Sequence, residues 1–271
     1  MGTWFLCPLD LLRGKRYLRK VGHTMICYVD MEHELAMQDE ADKATHEAYL
    51  RDVKQRLEQA SGDVCVVRHY PRVTPAWVRS SETRALIIGG NVTDWVEYDE
   101  ADLRRLYEII RNAEVPILGI CGGCQLIGMA HSVPLGPIRR LEEGEQDPDE
   151  GFSPGYYKEW GFLPIHVVEP DPLFNGLGEE PVFLEAHYWE VKGVPTGFRL
   201  LASSDACRVQ AMRRIDRPIY ATQFHPEAYT GAGARSHSWL VNLVYPGGYE
   251  GNEHPAGRSL LINFFKLAGI T

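Results

Sequence analysis

Positive charge is in short supply in this 271-residue chain: 28 lysines and arginines face 37 aspartates and glutamates, a net charge of −9. A phosphate backbone or an anionic lipid surface calls for a surplus of cations, so the balance argues against either as the main partner. Long apolar runs are missing too. No stretch approaches the roughly 18 consecutive apolar residues that a bilayer span requires. The apolar start Trp4-Phe5-Leu6 precedes the basic cluster Arg13, Lys15, Arg16, Arg19 and Lys20, the reverse of the order in a secretory signal. Six cysteines in a chain of this length make no disulfide scaffold, which points to a reducing cytoplasm. No internal repeat is visible. With 44% hydrophobic and 24% charged residues, the composition is that of a globular enzyme rather than a disordered or fibrous chain.

Short apolar runs alternate with helix-period segments from Met25 onward, the pattern of a mostly parallel central sheet with helices on both faces, an α/β fold. Strands are expected at 25–29, 64–67, 85–88 and 116–120. Amphipathic helices are expected over about 41–60, where Tyr49, Leu50, Val53 and Leu57 share one face, and over 99–112. Residues 160–224 read as strand-rich, and a helix over about 256–268 closes the chain. Residues 1–22 read as an appendage to a domain at 23–271. Two surface excursions are expected, an acidic, turn-rich one at about 138–158 and one at 231–254 rich in glycine and aromatic residues.

Chemistry concentrates at the junction between the expected strand 116–120 and the helix after it. Gly119-Ile120-Cys121-Gly122-Gly123 fits G-x-C-x-G, the cysteine counterpart of the strand-to-helix nucleophile elbow. Side chains at the flanking glycines would block so sharp a turn, and the positive end of a helix favours a thiolate there. Downstream, Pro226 disfavours helix at His225 in Gln223-Phe224-His225-Pro226-Glu227, so His225 and Glu227 are extended and share a side. The three then make a nucleophile (Cys121), a base that becomes the acid (His225) and a carboxylate that orients it (Glu227). The developing oxyanion needs N–H donors, supplied by Gly122 after the nucleophile and by Gly90 in the Gly89-Gly90 turn. Taken alone, Cys121 would be a small buried apolar residue, and Cys121-x-x-Cys124 would suit redox or zinc chemistry. No second C-x-x-C accompanies it, and Cys124 reads as packing on the first helical turn.

The run 116–125 together with Gln223-Phe224-His225-Pro226-Glu227 resembles the class I (triad) glutamine amidotransferase family. Further matches follow in order: Gly89-Gly90, Glu159-Trp160-Gly161 at an E-x-G position, Ala186-His187-Tyr188-Trp189-Glu190-Val191 where members often carry S-H-x-D-x-V, and Asn263-Phe264 near the end. The resemblance covers roughly residues 25–271 and implies a flavodoxin-like fold. It implies a cysteine amidase, a hydrolase or transferase, that converts glutamine to glutamate and ammonia through a γ-glutamyl thioester. It also implies that Gln125 helps hold the substrate and that the segment at Tyr188 contacts its amino-acid end. Members commonly pass ammonia to a synthase, here a separate partner chain, and the mechanism needs no metal or organic cofactor. Stand-alone hydrolases of γ-glutamyl amines or peptides are the alternative, and a regulatory module without turnover is a further one. Ala186 and Glu190 replace the usual Ser and Asp, and Gly122-Gly123-Cys124 is closer to the elbow of cobyric acid synthase.

Overall fold

The structure, a computed structural model, describes residues 25–228 and 255–271; the expected appendage at 1–22 and the insertion at 231–254 lie outside the described residues. In chain order the elements are β1 (Met25–Asp30), α1 (Glu40–Ser61), β2 (Val64–His69), α2 (Pro75–Ser80), β3 (Thr83–Ile88), α3 (Glu100–Asn112), β4 (Ile117–Ile120) and α4 (Gly122–Ala130). There follow β5 (Leu135–Pro137), β6 (Glu159–Pro164), β7 (His166–Val167), β8 (Val182–His187), β9 (Trp189–Val191), β10 (Phe198–Ser203), β11 (Ala211–Arg214), β12 (Ile219–Thr222) and α5 (Pro255–Leu267).

Eight strands form the main sheet in the order β2-β1-β3-β4-β12-β11-β10-β7. The first five run parallel, and the last three are added antiparallel. The period of two along each parallel strand sorts the core into two layers. Ile26 and Tyr28 of β1 pack with Leu57 of α1 and Phe264 and Phe265 of α5. Cys27 and Val29 face the other way, with Leu106 and Ile110 of α3 and Ile127 of α4. The mostly parallel sheet covered on both faces is thus the fold expected from the alternation of apolar runs.

Local chemistry sets the helix ends. Asp39 caps α1 by accepting from the Asp42 N–H at 2.8 Å, and Gly62 ends it at φ 72°, a left-handed conformation that glycine adopts without strain. Asp99 caps α3 in the same way. The six-residue α2, opened by Thr74 and Pro75, is too short for its periodicity to show in the sequence. Two antiparallel ribbons lie outside the main sheet, β5 with β9 and β6 with β8. Among the described residues, no helix is long and apolar enough to cross a membrane.

Four chain segments meet beyond the carboxyl ends of the parallel strands, where open α/β sheets bind ligands. They are Asp30 and Glu32 after β1, Gly89-Gly90 after β3, Cys121 after β4 and the run 223–227 after β12.

Candidate active site

Cys121 stands between β4 and α4 with φ 51° and ψ −107°, a conformation costly for any residue but glycine, by about 1–3 kcal/mol. Its N–H donates to the Thr222 carbonyl at 2.8 Å, tying the elbow to β12. The flanking glycines are required: a Cβ on Gly119 would lie 2.5 Å from the Gly123 carbonyl oxygen, and one on Gly123 would lie 2.2 Å from that of Ile88. The turn thus presents the sulfur while the backbone beneath it is packed to contact.

His225 is held from both ends. Its N–H donates to the Leu184 carbonyl of β8 at 2.9 Å, so the run after β12 lies along β8. Its imidazole Nδ1 lies 2.8 Å from Glu227 Oε1, and both residues are buried. The ring's other side meets the Cys121 thiol in a hydrogen bond. Burial alone would strip the imidazole of its proton, but the charge of Glu227 and the contact with Cys121 override it and hold the pKa of His225 well above the ordinary value. The buried Gln223 amide adds a contact from Nε2 to Cys121 Sγ at 3.7 Å. All three residues of the expected set are therefore brought together.

Gly90 lies beside both Cys121 and His225, and Gly122 directly follows the nucleophile. A Cβ on Gly90 would come within 3.2 Å of both Cys121 Cβ and His225 Cε1, so a side chain there would crowd the nucleophile and the imidazole. Gly122 opens α4, where helical N–H groups have no intrahelical acceptor. The Asn91 side chain lies over it, and a Cβ there would meet Asn91 Oδ1 at 1.8 Å.

Two cavities share Cys121 and Ala186 in their walls. The smaller, about 40 Å³, is lined by Asp94, Trp95, Gln125, Phe152, Tyr188 and Trp189 among others. Gln125, expected to hold substrate, is itself anchored: its Oε1 accepts from Trp95 Nε1 at 2.8 Å and its Nε2 donates to the Trp189 carbonyl at 3.2 Å. The Tyr188 hydroxyl donates to Asp94 Oδ1 at 3.1 Å, and its ring meets Phe152 edge-on at 5.3 Å. Phe152 belongs to the acidic stretch expected to be a solvated excursion. That stretch turns part of its charge inward, since Lys158 and Asp147 form a buried pair at 2.5 Å, and Phe152 lies in the cavity wall. The larger cavity, about 300 Å³, runs from Cys121 and His225 past Tyr49 to Glu32, Asp42 and His46. Its acidic side is structured, because Asp30 accepts from His46 at 3.1 Å and Glu32 from the Val92 N–H at 3.2 Å.

A second buried histidine stands on the small-cavity side. The β6–β8 register sets Glu159 opposite His187, and His187 Nε2 lies 3.0 Å from Glu159 and 3.2 Å from Glu185. Its Nδ1 is 2.9 Å from the Trp189 carbonyl. Both nitrogens lie beside oxygen acceptors, an arrangement that favours the imidazolium. Burial opposes that charge, but the two carboxylates push the pKa of His187 up to about 10. Burial raises Glu185 to about 7 against the pull of His187. Glu159, His187 and Cys207 lie close enough to ligate a metal ion. The carboxylate of Glu159, however, already accepts from Ser204 at 2.5 Å and Gln210 at 2.7 Å, and His187 is spent on both nitrogens.

Sequence reasoning missed Trp95 as the anchor of Gln125 and placed Tyr49 on the shared face of α1 without a partner for its hydroxyl, which donates to Glu227 Oε1 at 3.2 Å. The one available signal was chemical: a phenol on a buried helix face must find a partner.

The chain is similar to several known proteins. A glutamine-hydrolysing GMP synthase subunit from Methanocaldococcus jannaschii is 34% identical over 166 residues, 60% of this chain and 76% of that protein. The same-named protein of Methanosarcina mazei is 31% identical over 201 residues, 74% of this chain and 82% of its own. In fold, a glutamine amidotransferase from Thermotoga maritima superposes with a TM-score of 0.60 at 13% identity, covering 91% of this chain and 98% of the other. One from Methylobacillus flagellatus gives 0.59 at 18% identity, covering 90% and 94%. The signature of the family described as glutamine amidotransferase class-I matches residues 45–240. That match spans well over half of the chain, which therefore belongs to the class-I glutamine amidotransferase family, enzymes of glutamine amide hydrolysis.

Proposed function

We propose that Cys121 is the nucleophile of a glutaminase reaction whose ammonia passes to a separate synthase subunit. His225 takes the thiol proton as the sulfur attacks the side-chain amide carbon, and returns it to the nitrogen as the C–N bond breaks and ammonia leaves. A water molecule, deprotonated by the same imidazole, then opens the γ-glutamyl thioester to glutamate and frees the thiol. Glu227 holds the imidazole through Nδ1, and the N–H groups of Gly90 and Gly122 receive the oxyanion. The observation that carries this reading is the elbow cysteine hydrogen bonded to an imidazole whose other nitrogen is held by a buried carboxylate at 2.8 Å. The acyl part of glutamine would occupy the small cavity beside Gln125 and Tyr188. The separate synthase partner is supported by relatives named as one subunit of a GMP synthase.

A second reading, a stand-alone hydrolase of γ-glutamyl amines, is favoured by one observation. The cavity of about 300 Å³ beside His225 is far larger than ammonia needs.

Glutamate release from glutamine, with a γ-glutamyl amine assayed in parallel, tests both. Turnover of glutamine is expected to vanish in Cys121→Ala and His225→Ala and to persist in Cys124→Ala, whose side chain is fully buried behind the elbow. Cleavage of the γ-glutamyl amine without glutaminase activity would transfer the protein to the second reading. Full activity in Cys121→Ala would end both.

A further inference from the structure

The face of α1 that covers the sheet also grips the carboxylate of the proposed triad. Tyr49 and Arg56 are seven residues apart, two helical turns, and so lie on one face. Tyr49 donates its hydroxyl to Glu227 Oε1 at 3.2 Å, and Arg56 Nη1 donates to the Glu227 main-chain carbonyl at 2.8 Å. The Tyr49 hydroxyl has one proton, and Glu227 takes it. The Tyr28 hydroxyl, 3.0 Å from that of Tyr49, is therefore the donor in that pair. The chain of donors runs Tyr28 to Tyr49 to Glu227, and it ends on Oε1, the same oxygen that holds His225 Nδ1. At its other end the Tyr28 hydroxyl lies against the oxyanion turn, where a Cβ on Gly89 would come within 2.2 Å of it.

We propose that Tyr49, backed by Tyr28, is a positioning residue of the reaction: it fixes the Glu227 oxygen that holds His225 and links that carboxylate to the Gly89-Gly90 turn. The proposal rests on the reading of Cys121, His225 and Glu227 as the reacting set. Both phenols stay protonated, since burial and the nearby Glu227 charge hold their pKa values well above 10, so the donors persist across any assay pH. By sharing Oε1, Tyr49 withdraws charge from the oxygen that binds the imidazolium. Without it, Glu227 should hold the His225 proton more tightly. Among the described residues, the other groups facing this pair are Cys121 at the elbow, Glu185 of β8, Tyr28 of β1, and Arg56 with Asp52 on α1. None of these is removed by changing Tyr49 to phenylalanine.

The test is Tyr49→Phe beside Tyr28→Phe in the full chain, with two readouts. The first is kcat and KM for glutamine across pH. The second is the titration of the His225 imidazole by NMR, which does not depend on the substrate. Tyr49→Phe is expected to lower kcat about tenfold with KM little changed. The His225 titration, and with it the acidic limb of kcat, which is set by the base losing its proton, is expected to move up by roughly half a pH unit. Tyr28→Phe, which leaves the Tyr49 donor in place, is expected to shift both in the same direction by less. A kcat loss in Tyr49→Phe with the titration unmoved would mean that the residue only packs, and would overturn the proposal. Should Tyr49→Phe fail to fold, Tyr28→Phe decides alone: a shifted titration supports the relay and an unshifted one overturns it. If the unaltered protein does not turn over glutamine while the His225 titration still shifts in Tyr49→Phe, the positioning stands and the substrate reading falls.

Discussion

Two buried histidines flank Cys121, one on each side of the paired cavities, and they differ in what their nitrogens have left to do. His225 spends Nδ1 on Glu227 and turns its other side to the thiol. His187 spends Nδ1 on the Trp189 carbonyl and Nε2 on two carboxylates. Both are nine-tenths or more buried, and both have a pKa raised by neighbouring acids against the effect of burial. A buried histidine with a carboxylate partner is thus not in itself a reacting group. What makes the difference is the identity of the second partner, which at His225 is the thiol of the elbow cysteine. His187 instead orders its surroundings: the carbonyl it binds also anchors Gln125, so the imidazolium braces the wall of the small cavity.

The comparison breaks most visibly under substitution by glutamine, which keeps an N–H donor but cannot shuttle a proton. His225→Gln is expected to lower glutamine turnover on the order of 10⁴-fold while the protein stays folded, because the amide can still donate to Glu227. His187→Gln is expected to do the reverse. It leaves the buried Glu159 and Glu185 without their cation, a loss on the order of 3–5 kcal/mol in unfolding free energy, while the folded fraction retains turnover. Chemical denaturation paired with initial rates checks this. Loss of turnover in a well-folded His187→Gln would give the second histidine a chemical role and erase the distinction.

A smaller effect appears in the pH dependence of stability. His187, raised from 6.5 to about 10, binds its proton more tightly in the folded state. Its stabilisation is complete below pH 6.5 and is lost as the pH rises towards 10. Glu185, raised from 4.5 to about 7, also holds a proton that the unfolded chain releases, so its burial begins to cost stability as the pH passes 4.5 and costs most above 7. Both contributions make the folded state weaken with rising pH. The depressed carboxylates, such as Glu145 at about 2, act in the opposite direction but below that window. The melting temperature is therefore expected to fall steadily from pH 5 to pH 10, and His187→Gln is expected to flatten the upper part of that fall. A wild-type melting temperature that is level or rising from pH 5 to 10 would contradict the pairing.

The two histidines also show how far the sequence can be read. The parallel sheet was legible because each buried strand is a short apolar run, and Cys121, His225 and Glu227 because each carries local syntax: glycines around a turn, and a proline that fixes an extended pair. The environment of His187 was not legible. Glu159 and His187 meet through the register of β6 on β8, and neither strand's pattern specifies a partner. The same holds for Tyr49, which sits at a helix-period position on the shared face of α1; its hydroxyl finds Glu227, 178 residues away, only once α1 has docked on the sheet. The anchoring of Gln125 by Trp95 is long-range in the same sense. Motifs that fold on themselves can be read from one segment, and contacts that depend on register or docking cannot.

The smallest expected effect separates the two carboxylates that His187 serves. Glu159 accepts hydrogen bonds from Ser204 and Gln210 besides its contact with the imidazolium. Glu185 is fully buried on β8, and its contact is with the imidazolium at 3.2 Å. Replacing a hydrogen-bonded carboxylate by an amide puts a donor where donors already point, whereas at Glu185 the amide removes a charge whose burial is costly above pH 7. Glu185→Gln is therefore expected to leave stability at pH 5 nearly unchanged, because the carboxyl is largely protonated there in the folded state. It is expected to flatten the decline between pH 4.5 and 7, leaving the later decline to His187. Glu159→Gln should destabilise across the whole range. Melting curves at pH 5, 7 and 9 decide the matter, since equal losses for the two variants at all three values would show that the carboxylates are interchangeable and that burial of Glu185 carries no separate cost.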